Sequence, residues 1–92
     1  MPDSYEYVVW LRDESLPQDD QDYEWPAAFI VVAESSEAAI RWGDRITASY
    51  AERTRQPIIS SHVTLASKLD HDTSGLPVVQ DQADASDAHI GW

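Results

Sequence analysis

The chain has 92 residues, no cysteine and a formal net charge of −11 at neutral pH. A chain of this length forms at most one domain, and without cysteine neither disulfides nor thiolate zinc sites can support its small core. The negative charge disfavours direct binding to nucleic acid or anionic lipid. The longest apolar run, residues 27–33, is far shorter than a bilayer span, and no export signal is recognisable at the N-terminus. We therefore expect a cytoplasmic protein that binds neither nucleic acid nor membrane.

The acidic residues are concentrated in two flanking segments. Residues 1–26 carry eight acids against one arginine, and residues 70–92 carry five acids and neither lysine nor arginine. Residues 27–69 carry four acids against five basic residues and are nearly neutral. The flanks therefore hold the acidity of the protein.

Two strands joined by a long loop are predicted in the first part of the chain. Residues 5–12 alternate aromatic and aliphatic side chains on one face with a more polar set on the other, which is the period-two pattern of a strand. Residues 13–26 contain two prolines and a polar acidic run, and they predict a loop. A stretch at about residues 27–34 is apolar on both faces. It predicts a central strand with other parts of the protein packed on both of its faces.

An amphipathic helix is predicted over residues of about 36–54. The hydroxyl of Ser35 or Ser36 can cap its N-terminus, and Glu37 in the first turn suits the positive end of the helix dipole. Gly43 lies on the packing face and indicates a close approach of the helix to the sheet, although a tolerated small residue is an equally good interpretation.

The last strand and a tail are predicted after the helix. Residues 58–69 predict a half-buried strand, and a helix over residues 63–69 competes with it because the apolar residues there are also spaced by three and four. After residue 69 the composition changes to aspartate, glutamine, serine, glycine and proline. This change predicts an acidic, largely irregular tail over residues 70–92, either flexible or folded back as a lid.

These elements predict a single α+β domain over residues 1–69. It has a small three-stranded mixed sheet in the order β-β-α-β, with one amphipathic helix packed on one face. A single helix covers one face, so the other apolar face of the second strand needs a different cover. The candidates are a second copy of the chain, an unrelated partner, or the tail through its apolar residues, which are Val78, Val79, Ile90 and Trp92.

The loop at residues 13–26 is the predicted partner-binding site. Dense carboxylates steer a basic protein toward the loop, and aromatic side chains provide anchoring area. The residues predicted to bind the partner are Asp19, Asp20, Asp22, Tyr23, Glu24 and Trp25. A solvated loop is the simpler interpretation, and its two aromatic residues argue against it.

Residues 70–81 partly match a twelve-residue calcium-binding loop. Oxygen ligands stand at the first, third, fifth and twelfth positions, with Gly75 at the sixth. The predicted ligands are Asp70, Asp72, Ser74 and Asp81. The twelfth residue is shorter than the usual bidentate glutamate, so an ordinary turn is the alternative. No other cofactor is predicted, because the histidines have no regular zinc-ligand spacing.

No catalytic constellation is visible in the sequence. Ser61 and His62 are adjacent, and neighbours in a strand point to opposite faces. We therefore expect a small acidic protein-interaction or regulatory module with a basic protein partner, rather than an enzyme. One alternative is a ligand-binding or catalytic domain whose pocket forms by homodimerisation, with His62 and Thr64 on its polar side. The other alternative is a calcium-responsive module.

Overall fold

The computed structural model describes residues 2–83, and in that part of the chain one α-helix packs against a four-stranded sheet. The strands are β1 (Asp3–Arg12), β2 (Glu24–Ala33), β3 (Ile58–Leu65) and β4 (Val78–Gln80), and the helix is α1 (Ser36–Thr54). A single turn of 3₁₀ helix, Ala66–Lys68, follows β3. The α+β class predicted from the sequence is confirmed.

The strands are ordered β3-β1-β2-β4 in the sheet. β1 runs antiparallel to both of its neighbours, whereas β4 runs parallel to β2. β2 and β3 are consequently parallel to each other with β1 between them, so α1 forms a crossover between two parallel strands. The prediction of a mixed sheet with one helix packed against it is confirmed.

The predicted count of three strands is wrong, because β4 adds a fourth strand to the sheet. The Ile30 N–H donates to the Pro77 carbonyl at 2.8 Å, and the Asp81 N–H donates to the Val32 carbonyl at 2.9 Å, which joins β4 to β2. A strand of three residues is too short to show a period-two pattern, so its sequence indicates only a tail.

The predicted acidic tail is described as far as residue 83, and it is not irregular throughout. Val79 is 3% exposed and pairs with Val31 on the face that α1 covers, whereas Val78 is 55% exposed. Ile90 and Trp92, which the sequence suggested as part of a cover, lie outside the described residues. The described part of the tail thus extends the sheet at its edge.

Several strand boundaries differ from those predicted. β1 begins at Asp3 rather than at residue 5, and β2 ends at Ala33 rather than at about residue 34. β2 begins at Glu24, because its pairing with β1 continues back to that residue, and the loop between the two strands is shortened to residues 13–23. β3 ends at Leu65, and the 3₁₀ turn lies within residues 63–69, for which the sequence allowed either a strand or a helix. The turn begins the connection from β3 to β4.

α1 begins and ends at defined caps. The Ser35 side chain accepts a hydrogen bond from the Ala38 N–H at 3.1 Å. At the other end Arg55 adopts the left-handed conformation, with φ of 58°, and its N–H donates to the Ala51 carbonyl. No helix among residues 2–83 is long and apolar enough to cross a membrane.

Alternate residues of β1 form the core beneath α1. The buried set on this strand is Tyr5, Tyr7, Val9 and Leu11. The ring of Tyr7 packs on that of Phe29 in β2, with the centroids 4.9 Å apart. Gly43 of α1 lies against the same tyrosine ring, so that a Cβ at this position would overlap the ring carbons. The close approach of helix and sheet predicted from Gly43 is confirmed.

The face of the sheet opposite α1, which we call the open face, is crossed by the chain itself. Glu6 lies on this face because its neighbours in β1 point toward α1. The Glu6 Oε2 atom lies 2.7 Å from His71 Nε2. Since β3 and β4 are at opposite edges of the sheet, residues 66–77 must pass over the open face to join them. We call residues 66–77 the crossover segment.

The crossover segment supplies part of the cover that β2 needs. Glu6 and Ile30 are paired across β1 and β2 on the open face, and they are only 8% and 5% exposed. α1 and the crossover segment run in opposite directions across the sheet, on opposite faces, which gives both connections the same hand. The chain therefore covers the open face itself around Glu6 and Ile30.

The variant Gly43→Ala is expected to destabilise the protein. The added methyl group would overlap the Tyr7 ring, which is held between α1 and Phe29. Overpacking costs about 1–3 kcal/mol, which exceeds the gain of up to about 1 kcal/mol in helix propensity. We expect a net loss of about 1–2 kcal/mol in the free energy of unfolding, measured by urea denaturation.

The control for this variant is Ala48→Gly, at an exposed position of α1. It measures the helix-propensity difference alone, about 1 kcal/mol. A Gly43→Ala protein that is more stable than the wild type would contradict the close packing of Gly43 on Tyr7.

The variant His71→Gln is expected to alter the pH dependence of stability. The hydrogen bond to Glu6 raises the pKa of His71, and the charges of Glu6 and Asp70 act in the same direction. A raised folded pKa adds stability below the unfolded pKa of about 6.5, and that stability is lost as the pH rises through the folded pKa. His71→Gln should therefore lower the free energy of unfolding below about pH 6.5 and have a smaller effect above it.

Urea denaturation between pH 5 and pH 9, followed by tryptophan fluorescence, measures this difference. Glu6→Gln removes the other partner of the pair and should flatten the same part of the profile. An effect of His71→Gln that is equal at both ends of the range would exclude the pair as a source of stability.

Candidate functional site

The loop between β1 and β2, residues 13–23, presents its carboxylates to solvent; with Glu24 we call it the acidic loop. Asp19, Asp20 and Asp22 are all exposed. The Asp20 Oδ1 atom accepts a hydrogen bond from the Asp22 N–H at 2.8 Å, and Asp13 Oδ1 accepts one from the Ser15 N–H at 3.1 Å. These Asp-centred turns give the loop a local structure while each carboxylate stays accessible.

Tyr23 and Glu24 are both engaged by Arg12. The Arg12 guanidinium lies 3.1 Å from Glu24 Oε2, and its Cζ atom is 5.6 Å from the centroid of the Tyr23 ring. The hydrogen bond to Glu24 raises the pKa of Arg12. The single cation of residues 1–26 therefore pairs within the loop region and leaves the aspartates uncompensated.

Trp25 packs on the helix side of the sheet. Its Nε1 atom donates to Gln56 Oε1 at 2.8 Å, and its ring meets the Tyr50 ring edge-on with centroids 6.3 Å apart. The structure thus brings the four carboxylates of the predicted partner site together on one exposed loop. It directs Trp25 away from them, toward the end of α1.

An exposed aromatic residue that the sequence analysis did not select lies beside the acidic loop. Trp10 is 39% exposed and lies on the open face, where it pairs with Pro26 of β2 and with Ser60 of β3. Ile59, 41% exposed, precedes Ser60 at an irregularity in the β1–β3 pairing. We call Trp10 and Pro26 the Trp10 patch. The period-two pattern of β1 could have identified Trp10 in the sequence, because it places Trp10 on the opposite face of the strand from the buried tyrosines.

The Trp10 patch is continuous with the acidic loop. Arg12 and Glu24 form the next same-face pair of residues beyond Trp10 and Pro26. Same-face neighbours along a strand are roughly 7 Å apart. The exposed Trp10 and the Arg12–Glu24 ion pair, where the acidic loop joins β2, are therefore neighbours at one end of the sheet.

The residues predicted to bind calcium form local turns. Asp72 accepts hydrogen bonds from the Ser74 N–H at 2.9 Å and from its hydroxyl at 3.0 Å, and the backbone bond chiefly lowers the pKa of Asp72. Asp70 is exposed and lies 3.6 Å from His71 Nδ1, while Asp81 accepts a bond from Gln82. Within residues 2–83 no group of three or more His, Asp or Glu side chains is placed to hold a metal ion.

A polar cluster lies between α1 and the sheet. Asp44 Oδ1 accepts hydrogen bonds from the Tyr7 hydroxyl and from Ser61 Oγ, both at 2.6 Å. Burial, followed by the bond to Asp44, raises the pKa of Tyr7 well above its usual range. Tyr7 is thus a neutral donor at physiological pH, and Ser61 is held by a carboxylate rather than by a histidine. The cluster attaches the helix to the sheet.

His62 and Thr64, named in the dimer-pocket alternative, lie on the open face of β3. They pair with Val8 and Glu6 of β1, and His62 is exposed. The depression at the C-terminal end of α1, about 380 Å³ in volume, is a separate feature lined by Glu14, Ala51, Glu52, Arg55 and Pro57. His62 and Thr64 do not contribute to it.

Comparisons of the chain with protein-family models, with curated proteins and with solved structures found no match.

The variant Asp44→Ala is expected to destabilise the fold by about 2–3 kcal/mol. It leaves the Tyr7 hydroxyl without its acceptor, and an unpaired buried donor costs more than the bond itself contributes. The double variant with Tyr7→Phe removes donor and acceptor together and should cost less than the sum of the two single variants. Strict additivity in urea denaturation would contradict the coupling of helix and sheet through this bond.

Proposed function

We propose that the protein is a small interaction module that binds a basic segment of a partner protein at the acidic loop and anchors it on the Trp10 patch. The observation that supports this function is the position of an exposed tryptophan and of the carboxylate-rich acidic loop at the same end of the sheet. Neither feature belongs to the buried core of the described residues.

Charge attracts the partner to this end of the molecule. The exposed acids of the region are Glu14, Asp19, Asp20, Asp22 and Glu24. Arg12 neutralises only Glu24, so the remaining carboxylates produce a local negative field. Such a field raises the association rate of a basic partner and does so less at high salt.

The Trp10 patch provides anchoring area that carboxylates cannot. Tryptophan is enriched among residues that dominate binding energy, because it buries a large area with few degrees of freedom to lose. Trp10 is paired with Pro26 across β1 and β2, so a bulky apolar side chain of the partner can bind to both residues on one rigid sheet. The partner segment that fits combines lysine or arginine residues with one large apolar residue a few positions away.

The proposed function is regulatory, because this protein, when bound, would mask a basic surface of its partner. An interaction module of this kind acts by occupancy, and its effect depends on affinity and on competing polyanions. This dependence makes the affinity for defined basic peptides a direct measure of the function.

The test uses an array of decapeptides that contain four lysine or arginine residues with or without one tryptophan or leucine. The full chain is expected to bind the peptides that carry both features, with affinity falling as salt rises. The triple variant Asp19→Asn, Asp20→Asn, Asp22→Asn should weaken binding about tenfold or more, and Trp10→Ala should cost about 1–3 kcal/mol of binding free energy.

The matched control removes three negative charges elsewhere, through Asp3→Asn, Glu37→Gln and Asp70→Asn. These residues are exposed and lie outside the acidic loop, so affinity should change little at physiological salt. Equal losses in the two triple variants would show that net charge alone drives binding. Binding that tolerates Trp10→Ala would exclude the patch as the anchor.

A further inference from the structure

β3 is a long edge strand with a single neighbour. Among residues 2–83, β1 is the only strand that pairs with β3, which lies at one border of the sheet. β3 has eight residues, whereas β4 at the other border has three. An open strand edge presents unpaired N–H and C=O groups that another strand can bind.

The hydrogen bonds of β1 show which backbone groups of β3 point outward. The Arg12 N–H donates to the Pro57 carbonyl on the β3 side, and the Asp13 N–H donates to the Tyr23 carbonyl on the β2 side. Because backbone groups alternate along a strand, the even-numbered residues of β1 bond to β3. Their partners in β3 therefore direct their backbone groups inward; these partners are Ser60, His62 and Thr64. The backbone N–H and C=O groups of the intervening residues point away from β1, toward the open edge of the sheet; these residues are Ser61, Val63 and Leu65.

Along residues 60–65, β3 also lacks the features that usually protect an edge, since the irregularity in its pairing with β1 lies before Ser60. Residues 58–65 contain no Asp, Glu, Lys, Arg or Pro. Five of the eight are isoleucine, valine, threonine or leucine, and Ile59 is exposed. Edge strands that stay unpaired usually carry lysine, proline or a short length. The composition of β3 is that of a strand suited to pairing.

We infer that β3 pairs with β3 of a second copy of the chain, antiparallel, and joins the two sheets into one continuous sheet. This surface is distinct from the acidic loop and the Trp10 patch, so the inference goes beyond the proposed function. A two-fold axis relates the copies, as in most homodimers.

The proposed register centres on His62 and pairs the outward residues Ser61 and Val63 with each other. Ser61 faces Val63 of the second copy and Val63 faces its Ser61, and each of these pairs exchanges two backbone hydrogen bonds. The exposed Ile59 faces Leu65 of the second copy. His62 faces His62 of the second copy in a non-hydrogen-bonded pair, where the side chains approach most closely.

The charge distribution favours a second copy as the occupant of this edge. Two chains of net charge −11 repel each other over most of their surfaces, and β3 carries none of the acidic residues. An antiparallel pair directs the two acidic loops to opposite ends of the joined sheet, since each loop lies at the end of β1 that pairs with the start of β3. A basic partner is attracted to those loops instead.

The test is sedimentation equilibrium of the full chain, from micromolar to millimolar concentration at physiological salt. A mass that approaches twice 10.3 kDa with rising concentration is expected. His62→Lys places two ammonium groups opposite each other and should raise the dimer dissociation constant about fivefold or more. His62→Gln, neutral and of similar size, is the matched control and should retain the dimer.

Amide hydrogen exchange provides a second readout on the wild-type chain. The N–H groups of Ser61 and Val63 should exchange more slowly as concentration rises, because they point away from β1 and β1 is the only strand among residues 2–83 that pairs with β3. A chain that stays monomeric up to millimolar concentration would overturn the inference. A dimer that is insensitive to His62→Lys, or that leaves these two amides unprotected, would also overturn it.

Discussion

The apolar character of β2 on both faces constrains the whole molecule. Val31 and Phe29 face α1, and Ile30 faces the opposite side, so neither face can be left in water without a cost of roughly 25 cal/mol per Å² of apolar surface. The chain meets this constraint by crossing the sheet twice. α1 covers one face on the way from β2 to β3, and residues 66–77 cover part of the other on the way to β4. The position of β4 beside β2 follows from that return path, and its two hydrogen bonds to β2 secure it.

The sequence was sufficient for the elements whose signal is local and long. The 19-residue helix with its serine cap, the period-two pattern of β1 and the close packing at Gly43 could all be predicted from neighbouring residues. β4 could not, because three residues carry no periodicity and its pairing depends on the path of the preceding segment. The His71–Glu6 contact spans 65 residues in sequence, and no local pattern indicates such a pair. β4 and the His71–Glu6 contact could not be predicted because both depend on contacts between residues far apart in the sequence.

The candidate site divides in the same way. Exposure of Asp19, Asp20 and Asp22 follows from composition, since clustered carboxylates cannot be buried without partners. The destination of an aromatic residue does not follow, because tryptophan is suited both to a core and to an interface. Trp25 packs toward α1 through contacts with Gln56 and Tyr50, whereas Trp10 lies on the open face. Trp25 belongs to the alternating pattern of β2, which begins at Glu24. The predicted strand began at residue 27, so the prediction left Trp25 in the loop.

The two proposed surfaces reinforce each other. Pairing along β3 does not use the acidic loop, and it places one loop at each end of the joined sheet. A partner with two basic segments could then bind both ends, and the second contact would form at an effective concentration set by the spacing of the loops rather than by bulk concentration. In the proposed dimer, further growth would be opposed at the other sheet border, because β4 has only three residues and is followed by Asp81. The uneven distribution of charge would then favour one self-contact and leave the acidic ends available for the proposed partner.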